Sequence, residues 1–147
     1  MQVTAKTNYA IKALIDMAGY DASLPKSLND VAKSQNINLA FLSQIFQDLK
    51  KNNIVKSIKG PGGGYVLAKD PSNLFLAEIF NAVNESANIT MCKGGSSCMH
   101  KTKCSSHFFL EDLSNHLSEY LSSVTIASLS KKYNNYLDSN KSYDCRN

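Results

Sequence analysis

Three of the four cysteines in this chain lie close together and are followed by a histidine. Cys92, Cys98 and Cys104 are each separated by five residues, and His107 comes three positions after the last of them. Three thiolates and one imidazole can complete the coordination of a metal site. Because disulfides are rare in reducing compartments, clustered cysteines there indicate metal or redox chemistry. Cys145 stands apart in a polar tail, which favours a stray thiol over an alternative ligand.

The spacing of this set of three cysteines and one histidine leaves three kinds of chemistry open. Structural zinc sites favour two to four residues between paired cysteines, because a short turn holds both sulfurs on one ion. The wider gaps here favour an iron–sulfur cluster, which has more than one iron atom to span and accepts Cys and sometimes His ligands. Reactive thiols without a metal are the third possibility. His100 is a weaker candidate ligand, and His116 is interpreted as a surface or packing residue.

A second group of residues has the composition of a DNA-reading surface. The outward side chains of a helix predicted over residues 39–52 are mostly small or amide groups. Small groups allow a helix to approach the major groove closely, and Gln pairs with adenine through two hydrogen bonds. The candidate base-contacting residues are Ala40, Ser43, Gln44 and Gln47. An ordinary solvated helix face is the alternative interpretation.

A glycine-rich segment, which we call the wing tip, follows this helix. Residues 59–64 lie between strands predicted over 54–58 and 65–68. A lysine beside glycines can lie against phosphates or enter a minor groove, because glycine lets the backbone approach closely. The candidate DNA contacts here are Lys59, Gly60, Pro61, Gly62, Gly63 and Gly64. The segment is neither a P-loop nor a dinucleotide fingerprint, because it lacks Gly-Lys-Ser/Thr and a following helix.

Hydrophobic spacing predicts the elements that position both groups. Helical periodicity and the capping residues Ser27 and Asn38 predict helices over residues 4–20, 28–34 and 39–52. Together with the two strands, these helices make a winged helix-turn-helix. Further along the chain we predict a helix over 76–84, a loop over 86–105, a long helix over 108–124, a short last helix capped by Thr125, and a frayed segment over 139–147.

The predicted fold class is mainly α with a small β hairpin. A winged helix-turn-helix DNA-binding domain is expected over residues 1–84. Residues 85–147 are expected to hold a cluster-binding loop (86–107), a dimerisation helix (108–124) and a C-terminal tail. The long helix carries a stripe of leucines that a monomer would leave exposed, which predicts a homodimer.

Composition and charge narrow the function further. The 147 residues exclude a large multidomain enzyme, and the apolar runs end well short of the ~18 residues of a membrane span. No secretory signal is evident at the N-terminus, so we expect a cytoplasmic protein. Residues 1–70 contain nine lysines and five aspartates, whereas the basic and acidic residues of 71–147 balance. A basic first half indicates either a polyanionic partner or a scattered surface of solvated lysines.

Taken together, these motifs resemble the Rrf2 family of bacterial winged-helix regulators. The resemblance covers the chain to about residue 130 and is carried by the first helix with Tyr9-Ala-Ile, the third helix, the tip with Tyr65, and the Cys3His spacing. It implies a homodimer that binds palindromic promoter DNA and is not an enzyme. It further implies a 2Fe-2S cluster ligated by Cys92, Cys98, Cys104 and His107, and repression of cluster-assembly genes when that cluster is bound.

The resemblance also has alternatives and departures. Relatives with a carboxylate in place of the histidine sense nitric oxide through a 4Fe-4S cluster, and a zinc-stabilised repressor is a further alternative. A thiol oxidoreductase is disfavoured because the chain has no Cys-x-x-Cys motif. Ser43 stands where related chains often carry Glu, and Lys59 where Arg is common. Lysine cannot make the bidentate contacts of arginine, so base preference is expected to differ.

Overall fold

A computed structural model of the chain describes residues 3–19, 23–85 and 105–141. Its elements are α1 (Ala5–Gly19), α2 (Leu28–Gln35), α3 (Leu39–Lys51), β1 (Val55–Ile58), β2 (Gly64–Leu67), α4 (Leu76–Ala82), α5 (His107–Ser123) and α6 (Ile126–Lys141), with a 3-10 turn at Pro71–Asn73 before α4. The mainly α class with a small β hairpin is confirmed. The bounds predicted for α1 to α5 and the two strands agree with the structure within two residues.

Three side chains cap helices as the sequence predicts. Each accepts a hydrogen bond from the backbone N–H three residues further on, which satisfies a donor that the helix start leaves unpaired. The pairs are Ser27 with Asp30 at 3.1 Å, Asn38 with Phe41 at 3.1 Å, and Thr125 with Ser128 at 3.2 Å. The turn between α2 and α3 passes through Asn36 in the left-handed conformation, at φ 52°. These local signals set the start of α3.

One residue outside the hairpin, Lys26, pairs with the outer edge of strand β2. β1 and β2 pair antiparallel with Val55 opposite Leu67. On the other side of β2, the backbones of Lys26 and Tyr65 exchange two hydrogen bonds of 2.9 Å. A Cβ at Gly64 would lie 2.4 Å from the Lys26 carbonyl oxygen, so this close approach requires glycine. The bridge ties the hairpin to the segment that enters α2.

A single apolar core lies among α1, α3, α4 and the residues that join α5 to α6. Phe46 and Leu49 of α3 are fully buried, and Leu14 of α1 packs in the same cluster. Burying one such side chain contributes about 1.5–3 kcal/mol. The inward face predicted for α3, namely Leu42, Ile45, Phe46 and Leu49, is confirmed. Its opposite face is therefore directed to solvent.

The last helix is longer than predicted. The expectation of a short helix is wrong, because α6 continues for 16 residues and contacts α1 and the 3-10 turn; of the segment predicted to be frayed, residues 139–141 belong to this helix. Only Ile126 and Ser130 of α6 are buried, and all of residues 131–140 are exposed. Because so few of its residues are buried, the sequence of α6 has only a weak pattern of apolar residues at helical spacing. Residues 142–147 lie outside the described ranges.

The junction of α5 and α6 is fastened to the start of α4. The backbone N–H of Leu76 donates to the Val124 carbonyl at 3.0 Å, and that of Ile126 donates to the Leu74 carbonyl at 2.9 Å. Helices of the second part of the chain thus contact the first part, while the predicted division after residue 84 remains a prediction. None of the helices in the described ranges combines the length and apolar character needed to cross a membrane.

Candidate nucleic-acid interface and cluster site

The outward face of α3 carries the side chains that the sequence assigns to the major groove. Ala40, Gln44 and Gln47 are exposed, and Ser43 is half-buried. Asn38 caps the N-terminus of α3, so the first of these residues, Ala40, lies in the first turn of the helix. The face therefore offers small groups and amides without a bulky barrier, which is the composition that major-groove entry needs.

Side-chain contacts hold the hairpin, which forms the wing, against α3. The rings of Phe46 and Tyr65 meet edge to face with centroids 5.1 Å apart. Near the C-terminal end of α3, Lys50 Nζ donates to Ser57 Oγ of β1 at 2.7 Å. With the Lys26 bridge on the other edge, the wing is fixed on both sides. The helix face and the wing tip therefore keep a defined relation.

The wing tip has a backbone that depends on glycine. Gly60 and Gly62 have φ of 106° and 75°, in the left-handed region that other residues rarely adopt. The N–H of Gly63 donates to the Gly60 carbonyl at 2.9 Å, and a Cβ on Gly63 would lie 2.3 Å from the Ile58 carbonyl oxygen. The exposed residues of the tip are Lys59, Gly60, Pro61 and Gly62, and Gly63 and Gly64 are half-buried.

Ion pairing separates the lysines of the first half of the chain into two groups. The acid-paired lysines are Lys6 and Lys51 with Asp48, Lys26 with Asp16, and Lys69 with Glu78. Lys33, Lys56 and Lys59 are exposed, and within the described ranges their side chains make no hydrogen bond, ion pair or ring contact. Sequence reasoning missed Lys33 and Lys56, because charge alone does not distinguish a paired lysine from an unpaired one.

Asp48, the acidic residue of α3, forms an ion pair with a lysine of α1. Lys6 Nζ of α1 lies 2.7 Å from Asp48 Oδ2, and Lys51 Nζ lies 3.8 Å from the other carboxylate oxygen. The Asp48 side chain is 24% exposed. A carboxylate near DNA would repel phosphates, so this pairing removes an obstacle to binding at the C-terminal end of α3.

His107 is the one predicted cluster ligand within the described ranges. It is the first residue of α5, and its side chain is 23% exposed. Its Nε2 atom is buried and has no hydrogen-bond partner among the described residues; a Glu111 carboxylate oxygen lies 3.5 Å away without hydrogen-bond geometry. Buried polar atoms are nearly always satisfied. An imidazole nitrogen left in this state fits the donor set of a metal site.

The remaining cluster candidates lie outside the described residues. Cys92, Cys98 and Cys104 belong to this group, as do the weaker candidates His100 and Cys145. Across residues 3–19, 23–85 and 105–141, no three ligating side chains come together. The structure therefore places one ligand candidate at the start of α5, and the assignment of all four remains a prediction.

The long helix α5 has few contacts with the other described parts of the chain. Leu121 is its single buried residue, while Phe108, Phe109, Leu113 and Tyr120 are 62%, 66%, 37% and 59% exposed. His116 is exposed, with Nδ1 2.8 Å from the Asp112 carbonyl oxygen, in agreement with a surface role. An apolar helix surface of this extent is typical of a protein interface.

Comparison with known proteins finds relatives over most of the chain. The model of the Rrf2 family, described as iron-dependent transcriptional regulators, matches residues 3–132. The HTH-type transcriptional regulator IscR of Xenorhabdus nematophila is 38% identical over 131 residues, which cover 89% of this chain and 80% of that protein. IscR of Escherichia coli is 40% identical over 129 residues, covering 88% and 80%.

Solved structures show the same fold. IscR of T. potens has a TM-score of 0.70 and 26% identity, covering 90% of this chain and 88% of that one. CymR, the global cysteine regulator of B. subtilis, has a TM-score of 0.76 at 22% identity, covering 90% and 98%. The family match spans both the helix-turn-helix with its wing and the helix α5. This chain therefore belongs to the Rrf2 family of transcriptional regulators.

Proposed function

We propose that the chain is a homodimeric, sequence-specific regulator of transcription, mainly a repressor, that senses iron–sulfur cluster status and controls cluster-assembly genes. Its sensing group is a 2Fe-2S cluster bound by Cys92, Cys98, Cys104 and His107, and its partner is pseudo-palindromic promoter DNA. The observation that carries the proposal is the buried Nε2 of His107, which has no hydrogen-bond partner among the described residues and lies three positions beyond the last cysteine of the set. Kinship with regulators named IscR supports it.

The residues of the cluster site fit this group by their chemistry. Thiolates and imidazole are the donors that iron–sulfur clusters accept, and His107 must be neutral to bind. When bound, the cluster supplies a redox-active group whose occupancy depends on the supply of iron and sulfide. The start of α5 positions His107, and the ring of Phe108 packs edge to face on the imidazole at 5.7 Å. The imidazole is thereby oriented before any ligand arrives.

Cluster binding acts on the DNA-binding elements through α5. Backbone hydrogen bonds attach the C-terminal end of this helix to the start of α4, and His107 is the first residue at its N-terminal end. Ligation of His107 would therefore fix the N-terminal end of a helix whose C-terminal end is already held. A ligand shifts such an equilibrium only by its difference in affinity for the two states.

DNA recognition uses α3 and the wing together. Gln44 and Gln47 face the base edges, while Lys59 contacts phosphate beside the wing tip. Lys56 and Lys33, which have no ion-pair partner in the described ranges, add backbone contacts. A two-fold axis through α5 sets the two copies of α3 about 34 Å apart, one turn of DNA. The operator is therefore a pseudo-palindrome.

The experiment compares cluster content and DNA binding in matched variants purified without oxygen. Wild type is expected to show visible absorption with two irons and two sulfides per chain, which is the composition of the cluster. Replacing Cys92, Cys98 and Cys104 together with Ser abolishes the absorption and weakens binding to promoter fragments of cluster-assembly genes. Cys145→Ser is the control and retains both properties.

A second pair of variants tests the histidine. His107→Ala loses or weakens cluster binding, whereas His116→Ala, an exposed histidine on the same helix, behaves as wild type. Stoichiometric zinc in place of iron and sulfide would contradict the proposal and favour a zinc-stabilised repressor. Equal promoter affinity in wild type and the triple variant would contradict cluster sensing.

A further inference from the structure

A cleft of about 540 Å³ lies between α1, the C-terminal end of α2 and α6. Its size falls within the range of about 300–1,000 Å³ typical of small-molecule sites. None of its lining residues belongs to the outward face of α3, to the wing tip or to α5. Neither DNA recognition nor the cluster proposed above makes use of this cleft.

The ionisable groups of the cleft leave one uncompensated positive charge. Asp16 Oδ2 accepts from Lys26 Nζ at 2.7 Å and from Ser34 Oγ at 3.1 Å, and the two charged side chains are 18% and 19% exposed. That pair is neutral overall. Lys12 is exposed and has no acidic partner in the described ranges; its Nζ lies 5.9 Å from the centroid of the Tyr9 ring. The net charge of the described lining residues is therefore +1.

The rest of the lining suits an apolar body with a polar end. Ile15 and Leu137 provide aliphatic surface, and Tyr133 provides a ring. The amides of Gln35 and Asn134 make no hydrogen bond in the described part of the chain and can donate to a ligand oxygen. One ammonium and two amides match a single negative charge, whereas a phosphate dianion would remain under-compensated on this largely apolar surface.

We propose that this cleft binds a small organic monocarboxylate with an aromatic or branched aliphatic body. The carboxylate lies at Lys12, with the amides beside it, and the body lies against the wall formed by Ile15, Tyr133 and Leu137. Asp16 and Lys26 also line the cleft, and because they neutralise each other they attract neither an anionic nor a cationic ligand strongly.

The cleft also reaches the DNA-binding elements directly. Lys26, whose side chain lines it, forms the backbone bridge to Tyr65 of the wing. Gln35 is the last residue of α2 and precedes the turn into α3. A ligand that contacts both residues restrains the wing and α3 together, so occupancy changes DNA affinity. This last step rests on the proposed function, whereas binding of the carboxylate does not.

Binding is measured first, without DNA, on the full chain. The probes are 3-phenylpropionate, indole-3-acetate and 4-methylpentanoate, each compared with its uncharged amide by calorimetry and ligand-observed NMR. We expect saturable binding of at least one carboxylate and weaker binding of its amide. Lys12→Gln reduces the carboxylate affinity about fivefold and leaves the amide affinity unchanged. Lys132→Gln, which removes an exposed charge of α6 outside the cleft, leaves both unchanged.

A second variant tests the apolar wall. Leu137→Glu places a like charge beside the ligand and is expected to weaken binding about tenfold or more, with thermal unfolding showing that the fold is retained. Absence of saturable binding for every probe, or equal losses in Lys12→Gln and Lys132→Gln, would overturn the site. Unchanged promoter affinity at a saturating carboxylate concentration would overturn the effector role alone.

Discussion

At the scale of single residues, the proposed function depends on groups that have no partner among the described residues. Lys59 and Lys56 of the wing region have no ion-pair partner there, while other lysines of the same half are neutralised by Asp16, Asp48 and Glu78. His107 has a buried nitrogen without a hydrogen bond among the described residues. Unpaired lysines are available to phosphate, and an unbonded imidazole nitrogen is available to metal.

The unpaired state of Lys59 predicts a specific salt dependence. Lys59→Gln is expected to weaken binding to all DNA sequences alike and to reduce the slope of log K against log salt concentration by about 1, because one phosphate contact is lost. Lys132→Gln, on exposed α6, is the matched control and leaves the slope unchanged. A slope unaffected by Lys59→Gln would show that this lysine does not contact phosphate.

At the scale of elements, the wing and α3 depend on a few backbone and capping interactions. The Lys26–Tyr65 bridge and the Phe46–Tyr65 contact hold the wing, and the cap at Asn38 starts α3. Neither the bridge nor the ring contact involves residues close in sequence. Small substitutions at these points are therefore expected to disturb the DNA-binding surface as a unit.

Gly64→Ala tests the close approach of β2 to the segment before α2. The new Cβ would lie 2.4 Å from the Lys26 carbonyl oxygen, a backbone atom that cannot move without breaking the bridge. We expect a loss of about 1–3 kcal/mol in the free energy of unfolding, measured with urea. Gly19→Ala is the control, since its Cβ would meet Ser130 Oγ at an ordinary 3.5 Å. Equal tolerance of both changes would contradict the close approach.

Removing the cap of α3 is expected to destabilise the protein moderately. Asn38→Ala loses the hydrogen bond from the Phe41 N–H and is expected to cost about 1 kcal/mol in urea unfolding. Asn29→Ala removes an exposed side chain of α2 that makes no hydrogen bond in the described part of the chain, and it changes stability by less than about 0.5 kcal/mol. Similar values for the two variants would argue against the cap.

At the scale of the whole molecule, α5 leaves most of its apolar side chains uncovered by the described residues of its own chain. It buries only Leu121, and its apolar residues extend over its length from Phe108 to Tyr120. A second copy of the chain would cover this surface and place two α3 helices on one face. Dimerisation, cluster sensing and operator symmetry are thus linked through a single helix in the proposed function.

Leu113→Asp tests that role of α5. A charge in the proposed interface is expected to weaken dimerisation more than about tenfold, because the apolar burial of the leucine is lost and an aspartate is buried instead. Analytical ultracentrifugation measures the mass. Leu24→Asp, which changes an apolar residue that is 51% exposed before α2, leaves the dimer intact. A Leu113→Asp protein that stays dimeric would place the interface elsewhere.

Local signals in the sequence were enough to predict α1 to α5, the hairpin and most of the candidate surface. The periodicity of α3, the caps at Ser27, Asn38 and Thr125, and the glycines of the wing tip each act within a few residues. Sequence alone also identified the spacing of the candidate ligands, although three of the four lie outside the described residues. Such features need no knowledge of what the chain packs against.

Other properties were decided by tertiary contacts alone. Pairing between distant residues determines which lysines remain unpaired, and the Lys26–Tyr65 bridge makes Gly64 obligatory. The helix α6 extends for sixteen residues despite its weak apolar pattern, and it packs on α1 and the 3-10 turn. This packing also forms the cleft beside Asp16. These outcomes depend on residues far apart in the chain coming within contact distance, which no local pattern specifies.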